Sequence, residues 1–314
     1  MAELDPFLKK MLDAAAALPP HYNMTPQQAR ENIRKRIAGL PPNCSPVGKV
    51  DDLSIAAAGR DIACRLYLPR ECDGKVPLVV FLHGGGWCVC DIETHDGQCR
   101  RICFESKAAV FSVGYSLAPE HPFPAAFDEC TEIAVWSRKG LAAFGVDGDR
   151  MALCGDSAGG NLAAAVALKL RGTSANHVRA QALLYPALLP LGMTTESREL
   201  FGKGYGLDLD QIGKYWSAYA PACPDVHDTP VYCAPGLAPD VSDLPATYIL
   251  TAEYDPLRDE GEAFGQRLAA SGVAATVRRA LGVNHGFLAF ETVLAEADAS
   301  MIELGRWLSS QLSS

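Results

Sequence analysis

Gly155-Asp156-Ser157-Ala158-Gly159 follows the short apolar run Met151-Ala152-Leu153-Cys154 and precedes residues 161–171, which are rich in Ala and Leu and meet Gly172. The first flank suits a buried parallel strand, and the second predicts a helix with a glycine stop. A serine at such a strand-to-helix turn, with glycine two residues to either side, has the spelling of a nucleophile elbow. Side chains at 155 and 159 would collide with neighbouring backbone, so Gly155 and Gly159 are needed there. The tight turn thrusts the Ser157 hydroxyl out of the sheet. The helix behind it aims its first N–H groups at any negative charge formed nearby. Small-residue linkers can carry the same five letters, so the flanking strand and helix give the motif its weight.

Composition narrows the function classes. The chain has 314 residues, 48% hydrophobic and 21% charged, with a net charge of -9 at pH 7. That balance suits a folded globule and carries no basic footprint for nucleic acid or an anionic membrane. Eleven cysteines are present. Neither Cys88-Val89-Cys90 nor Cys99-Arg100-Arg101-Ile102-Cys103 has the paired spacing of a structural zinc site. Glu3, Asp5 and Asp13 interrupt the N-terminal Ala run, which is therefore no secretory signal, and no apolar run reaches membrane-spanning length. The expectation is a cytoplasmic protein with free thiols, no metal and no cofactor.

Outward from the elbow, the hydrophobic period sorts the chain. Asp5-Pro6 and Thr25-Pro26-Gln27-Gln28 open two helices, the second through a capping box. From residue 50 the period becomes that of strands: 50–57 and 62–68 predict a hairpin, and Leu78-Val79-Val80-Phe81-Leu82 a central buried strand. Helices are expected near 96–106, from Pro124 at N1 to Gly140, at 256–271 and at 291–308. Further strands are expected at 109–113, 179–185, 247–251 and 275–279. Strands alternating with helices predict a mostly parallel, doubly wound α/β sheet. The interval between Tyr185 and Thr247 is too long for one crossover. Within it, Asp208-Leu209-Asp210-Gln211 predicts another capping box, opening a helix with Ile212, Tyr215, Trp216 and Tyr219. The expected organisation is a catalytic domain at 47–186 and 245–314, with 1–46 and an inserted 187–244 as a helical cap.

A serine needs a base and a group that orients the base. Among histidines after Ser157, His285 lies in Gly282-Val283-Asn284-His285-Gly286-Phe287 beyond the last strand, where a base belongs. His177 precedes a strand, and His227 falls in the insertion. Asp255 leaves the strand at 247–251 beside a helix start and is the expected acid, with Glu253 and Asp259 as rivals. It would also suit a helix cap. His83-Gly84-Gly85-Gly86-Trp87 follows the central strand. Its exposed N–H groups at Gly84 and Gly85, with that of Ala158, are expected to bind a tetrahedral oxyanion. Gly86 would serve the turn, and His83 would organise the loop. No phosphate-loop spelling follows the glycines.

Together these stretches, with Tyr115-Ser116-Leu117-Ala118-Pro119-Glu120 and Asp255-Pro256-Leu257-Arg258-Asp259-Glu260-Gly261, resemble the hormone-sensitive-lipase-like group of α/β-hydrolases, particularly its microbial carboxylesterases. They stand in the family's order and cover nearly all of the expected catalytic domain. Ser116 departs from the pattern, many relatives having Arg there. The resemblance implies an α/β-hydrolase fold with an eight-stranded sheet and helical cap. It also implies metal-independent hydrolysis of a small-molecule ester, with a homodimer as one state that relatives adopt. Amides or carbamates would use the same triad. Plant gibberellin receptors resemble the family without its catalytic histidine, whereas His285 is present here.

Overall fold

The structure is a computed structural model that describes residues 2–16, 24–70, 74–190, 192–223 and 226–313. Its strands are β1 (Lys49–Ala57), β2 (Arg60–Leu68), β3 (Val76–Leu82), β4 (Ala109–Gly114), β5 (Val146–Asp156), β6 (Val178–Leu184), β7 (Ala246–Tyr254) and β8 (Ala275–Asn284). They form one eight-stranded sheet in the order β1-β2-β4-β3-β5-β6-β7-β8. The β1–β2 and β2–β4 pairings are antiparallel, and every pairing from β4 through β3 to β8 is parallel. This is the α/β-hydrolase fold.

The helices are α1 (Pro6–Ala16), α2 (Pro26–Ala38), α3 (Asp96–Ser106), α4 (Ala125–Gly140), α5 (Ala158–Leu170), α6 (Glu196–Phe201), α7 (Leu209–Tyr219), α8 (Arg258–Ala270) and α9 (Ala295–Leu312). Successive side chains of a strand point to opposite faces, and the apolar run of β3 therefore needs cover on both. Val80 and Leu82 join a core with Leu162 and Val166 of α5 and Phe264 of α8. Val79 and Phe81 join another with Ile102 of α3 and Met301, Leu304 and Leu308 of α9. Because β3 and β5 are adjacent and parallel, the loops leaving their C-terminal ends emerge side by side. Those of β7 and β8 do the same.

Local expectations meet the structure unevenly. Thr25 and Gln28 form the reciprocal cap of α2. Asp208 does not cap α7 with its side chain; it turns back to accept from the Gly204 N–H at 2.8 Å. Pro124 is the residue before α4, and Gly140 is inside that helix, where a Cβ would overlap the Trp136 ring. β5 starts at Val146, and the last helix starts at Ala295 after a short 3₁₀ turn at Phe287–Phe290. Pro19-Pro20, whose spelling predicts the end of the first helix, lies outside the described residues. Among the described residues no helix is long and apolar enough to cross a membrane. None of their ten cysteines is bridged, and no three His, Cys, Asp or Glu side chains cluster as metal ligands would.

Candidate active site

Ser157 stands between β5 and α5 at φ 54° and ψ -117°. Such a conformation in a non-glycine residue costs about 1–3 kcal/mol and persists only where the surroundings impose it. Here the Ser157 N–H donates to the Leu184 carbonyl at 2.8 Å, and its own carbonyl accepts from Asn161 at 3.1 Å and Ala187 at 3.2 Å. A Cβ at Gly159 would overlap the Leu82 carbonyl oxygen, and one at Gly155 the carbonyl of Gly159. The two glycines let the elbow close onto the end of β3.

The structure brings His285 and Asp255 to that serine. His285 Nε2 is 2.9 Å from Ser157 Oγ, and Nδ1 is 2.8 Å from Asp255 Oδ2. The consistent tautomer has Nδ1–H donating to the carboxylate and Nε2 accepting the serine hydroxyl. Asp255 is fully buried, and its Oδ1 accepts from the Leu257 N–H at 2.8 Å. Both oxygens therefore fix the carboxylate relative to its loop and to the imidazole. The rivals are engaged elsewhere. Glu253 accepts the N–H groups of Ala2 and Gly282, and Asp259 accepts from Ser197 and Arg258. His177 bonds to the carbonyls of Ala175 and Ala134. The His227 side chain lies outside the described residues.

The glycine loop corrects one expectation. The Gly84 N–H is not available to an oxyanion, because it donates to Asp156 Oδ1 at 2.8 Å. Among the described residues, the N–H groups of Gly85, Gly86 and Ala158 are left without a partner beside the elbow. Ala158 is the first residue of α5, so its N–H has no intrahelical acceptor. Gly85 (φ 112°) and Gly86 (φ 57°) hold backbone conformations that a side chain would strain. A Cβ on Gly86 would also overlap the Tyr215 ring of α7.

Asp156, expected from the sequence to support the motif with His83, Gly86, Gly155 and Gly159, has partners that the motif does not name. Besides Gly84 it faces His95 Nε2 at 3.2 Å, and both side chains are buried. Burial alone would raise the Asp156 carboxyl, but His95 and the Gly84 N–H outweigh it and hold the group below the usual range. Burial likewise works against a charge on His95, and Asp156 reverses that, raising it. No spacing rule links residues 95 and 156. His83 organises the loop: Nδ1 bonds the Gly84 carbonyl at 2.8 Å, its ring stacks on Tyr115 at 4.2 Å, and the Tyr115 hydroxyl donates to its carbonyl at 2.6 Å. Burial pushes its pKa down to about 4, so the ring is neutral. Arg30 of α2 donates to the carbonyls of Cys88 and Ala118 and to Glu120, tying the N-terminal helix to the same loop.

Known proteins share this architecture. Residues 79–289 match the family model described as alpha/beta hydrolase fold. The chain is 36% identical to the esterase LipI of Mycobacterium tuberculosis over 94% of its length and 91% of that protein's. It is 37% identical to an arylesterase of Saccharolobus solfataricus, with 83% and 84% covered. A solved hyperthermophilic esterase from the archaeon Pyrobaculum calidifontis superposes with a TM-score of 0.90 at 37% identity, covering 99% of this chain and 100% of that one. With fold, motif order and relatives in agreement, the chain belongs to the hormone-sensitive-lipase-like family of α/β-hydrolases.

Proposed function

We propose that the protein is a serine carboxylesterase that cleaves short- to medium-chain esters through an acyl-enzyme. The observation that carries this reading is the continuous line from Ser157 Oγ through His285 to Asp255, with both hydrogen bonds under 3 Å. In the first step Ser157 Oγ attacks the ester carbonyl as its proton passes to His285 Nε2. Asp255 stabilises the imidazolium without taking its proton. The developing oxyanion accepts from the N–H groups of Gly85, Gly86 and Ala158. Losing one such donor costs about 3–4 kcal/mol in the transition state. Collapse returns the Nε2 proton to the departing alcohol. Water then repeats the sequence on the acyl-enzyme and releases the acid.

Residues 1–46 and 187–244 are assigned the role of a cap. Tyr215 lies against Gly86, and Trp87 stacks on Tyr219 at 4.3 Å and meets Trp216 at 4.8 Å. These rings favour a modest enclosed apolar pocket over a broad lipid-binding face. The names of the relatives, esterases and an arylesterase, support the same substrate class.

A panel of dissolved nitrophenyl esters and anilides, run on wild type and Ser157→Ala, tests the proposal. Ester turnover should fall about 10⁴-fold or more in Ser157→Ala, and kcat/KM should climb and then fall within the medium-chain range. Activity appearing only above the solubility limit of a long-chain ester would contradict it, as would full turnover without Ser157.

A further inference from the structure

The end of β8 is irregular where it approaches the active site. Ala252 pairs with Ala280 and Tyr254 with Asn284, so residues 281–283 bulge opposite the single residue Glu253. A bulge leaves backbone groups without ladder partners. At its centre Gly282, with φ 70°, has its N–H satisfied by Glu253 Oε2 at 2.8 Å and its carbonyl by the Asp5 N–H at 2.8 Å. The other Glu253 oxygen accepts the Ala2 N–H at 3.0 Å, and the Tyr254 hydroxyl donates to the Ala2 carbonyl. Glu253 is 2% exposed, and its carbonyl accepts from Arg258 at 3.2 Å.

We propose that Glu253 and residues 2–5 form a brace that sets the spacing of the Asp255 and His285 loops, so that Glu253 is a positioning residue for the reaction. The inference rests on the esterase reading above. Glu253 precedes Asp255 by two residues, and Gly282 precedes His285 by three, so one side chain spans the two strands across the bulge, where the ladder is interrupted between the Ala252–Ala280 and Tyr254–Asn284 pairs. The N-terminal segment continues the hold on the far side of His285. Leu8 shares a core with Val283 and Phe287, and Phe7 meets Phe290 edge-on at 5.5 Å. The base loop is thus gripped before and after His285 by residues from the start of the chain. A base that must reach two partners at once tolerates little displacement, and misplacement by about 1 Å can cost 10²-fold.

Two variants of the full chain test this. Glu253→Gln keeps the shape but turns an NH₂ toward one of the two backbone donors. Ala2→Pro, at an exposed residue, removes the N–H that meets Oε1 and puts the ring's Cδ in its place. Glu253→Gln should lower kcat about tenfold and Ala2→Pro about threefold, both with KM within about twofold. In both, the far-downfield proton resonance of the His285–Asp255 hydrogen bond should weaken. Wild-type kcat and an unchanged resonance in both variants, even with a lower melting temperature, would overturn the proposal. If Glu253→Gln fails to fold, Ala2→Pro decides by the same two readouts. Fluorophosphonate labelling of wild type at Ser157 runs alongside. Failure of that labelling would strike the esterase reading, whereas intact labelling with unaffected variants would strike only the brace.

Discussion

At the ends of β3 and β5, Gly159 lies so near Leu82 that a Cβ would overlap its carbonyl oxygen, and Asp156 reaches straight across to the Gly84 N–H. At the ends of β7 and β8, by contrast, Asp255 and His285 keep their places through groups drawn from residues 2, 5 and 205. Glu253 binds Ala2 and Gly282, and Asn284 Nδ2 donates to the Tyr205 carbonyl at 2.8 Å. The nucleophile half is built by close approach of two neighbouring loops and depends on small residues. The acid–base half is stitched together over long sequence separations and depends on polar side chains. The first half tolerates no added volume, and the second tolerates no loosened contact.

Three substitutions would break or sharpen that contrast. Asp255→Asn acts in the stitched half, removing the charge that orients the imidazole. It should lower kcat by about 10³–10⁴-fold while the fold survives. If Glu253→Gln or Asp259→Asn were the crippling change instead, the acid is misassigned. Asp156→Ala acts in the close-packed half. It frees the Gly84 N–H and lets the following glycines drift, so kcat should fall about 10²–10³-fold, the scale of one lost oxyanion contact. Asp156→Asn keeps an acceptor for Gly84 and should retain most of that activity. Equal losses in the two variants would mean that the ion pair with His95, and not the hold on Gly84, is what matters.

Glu291 lies in neither half and should affect stability alone. It is 7% exposed, Asn43 donates to one oxygen, and the other has no hydrogen-bond partner among the described residues. It lines a cavity of about 440 Å³ with Arg101 and Asp298. Burial pushes its carboxyl up to about 7, against an ordinary value near 4.3. An acid raised on folding loses stability as pH climbs from the unfolded value through the folded one, because the ionised form is the one that burial penalises. Glu291→Gln should therefore gain on wild type at pH 8, by on the order of 1–3 kcal/mol, and gain little at pH 5. Denaturant titrations at both pH values measure it. An equal difference at both would show that ionisation plays no part.

The contrast also explains what was legible in the sequence. Steric necessity leaves a mark in composition: glycines at 155 and 159 and a continuous apolar run in β3 announce a tight turn and a two-sided strand. The chain order of serine, acid and histidine pointed to the three side chains that the structure brings together. Long-range polar contacts leave no such mark. Nothing in the spelling of residues 83–86 shows that Asp156 takes the Gly84 N–H, and the proposed donor set therefore includes Gly85 and Gly86 in place of Gly84. His95, Glu253 and Ala2 gain their contacts from topology alone. Short elements escaped for a different reason. The six residues of α6 are fewer than two helical turns, too few for a 3.6-residue period to show. Asp208 looked like a cap because capping and turn-forming Asp share one chemistry, and only the path of the preceding loop decides which N–H it meets.

The central claim is that Ser157 is acylated during turnover. Rapid mixing with a nitrophenyl ester, acid quenching within the first turnovers and peptide mass mapping measure this directly. The account predicts the mass increment of the acyl group on the peptide containing Ser157, appearing with the burst of nitrophenol. Turnover with no acyl increment, or with the increment on another serine or on a cysteine, would contradict it.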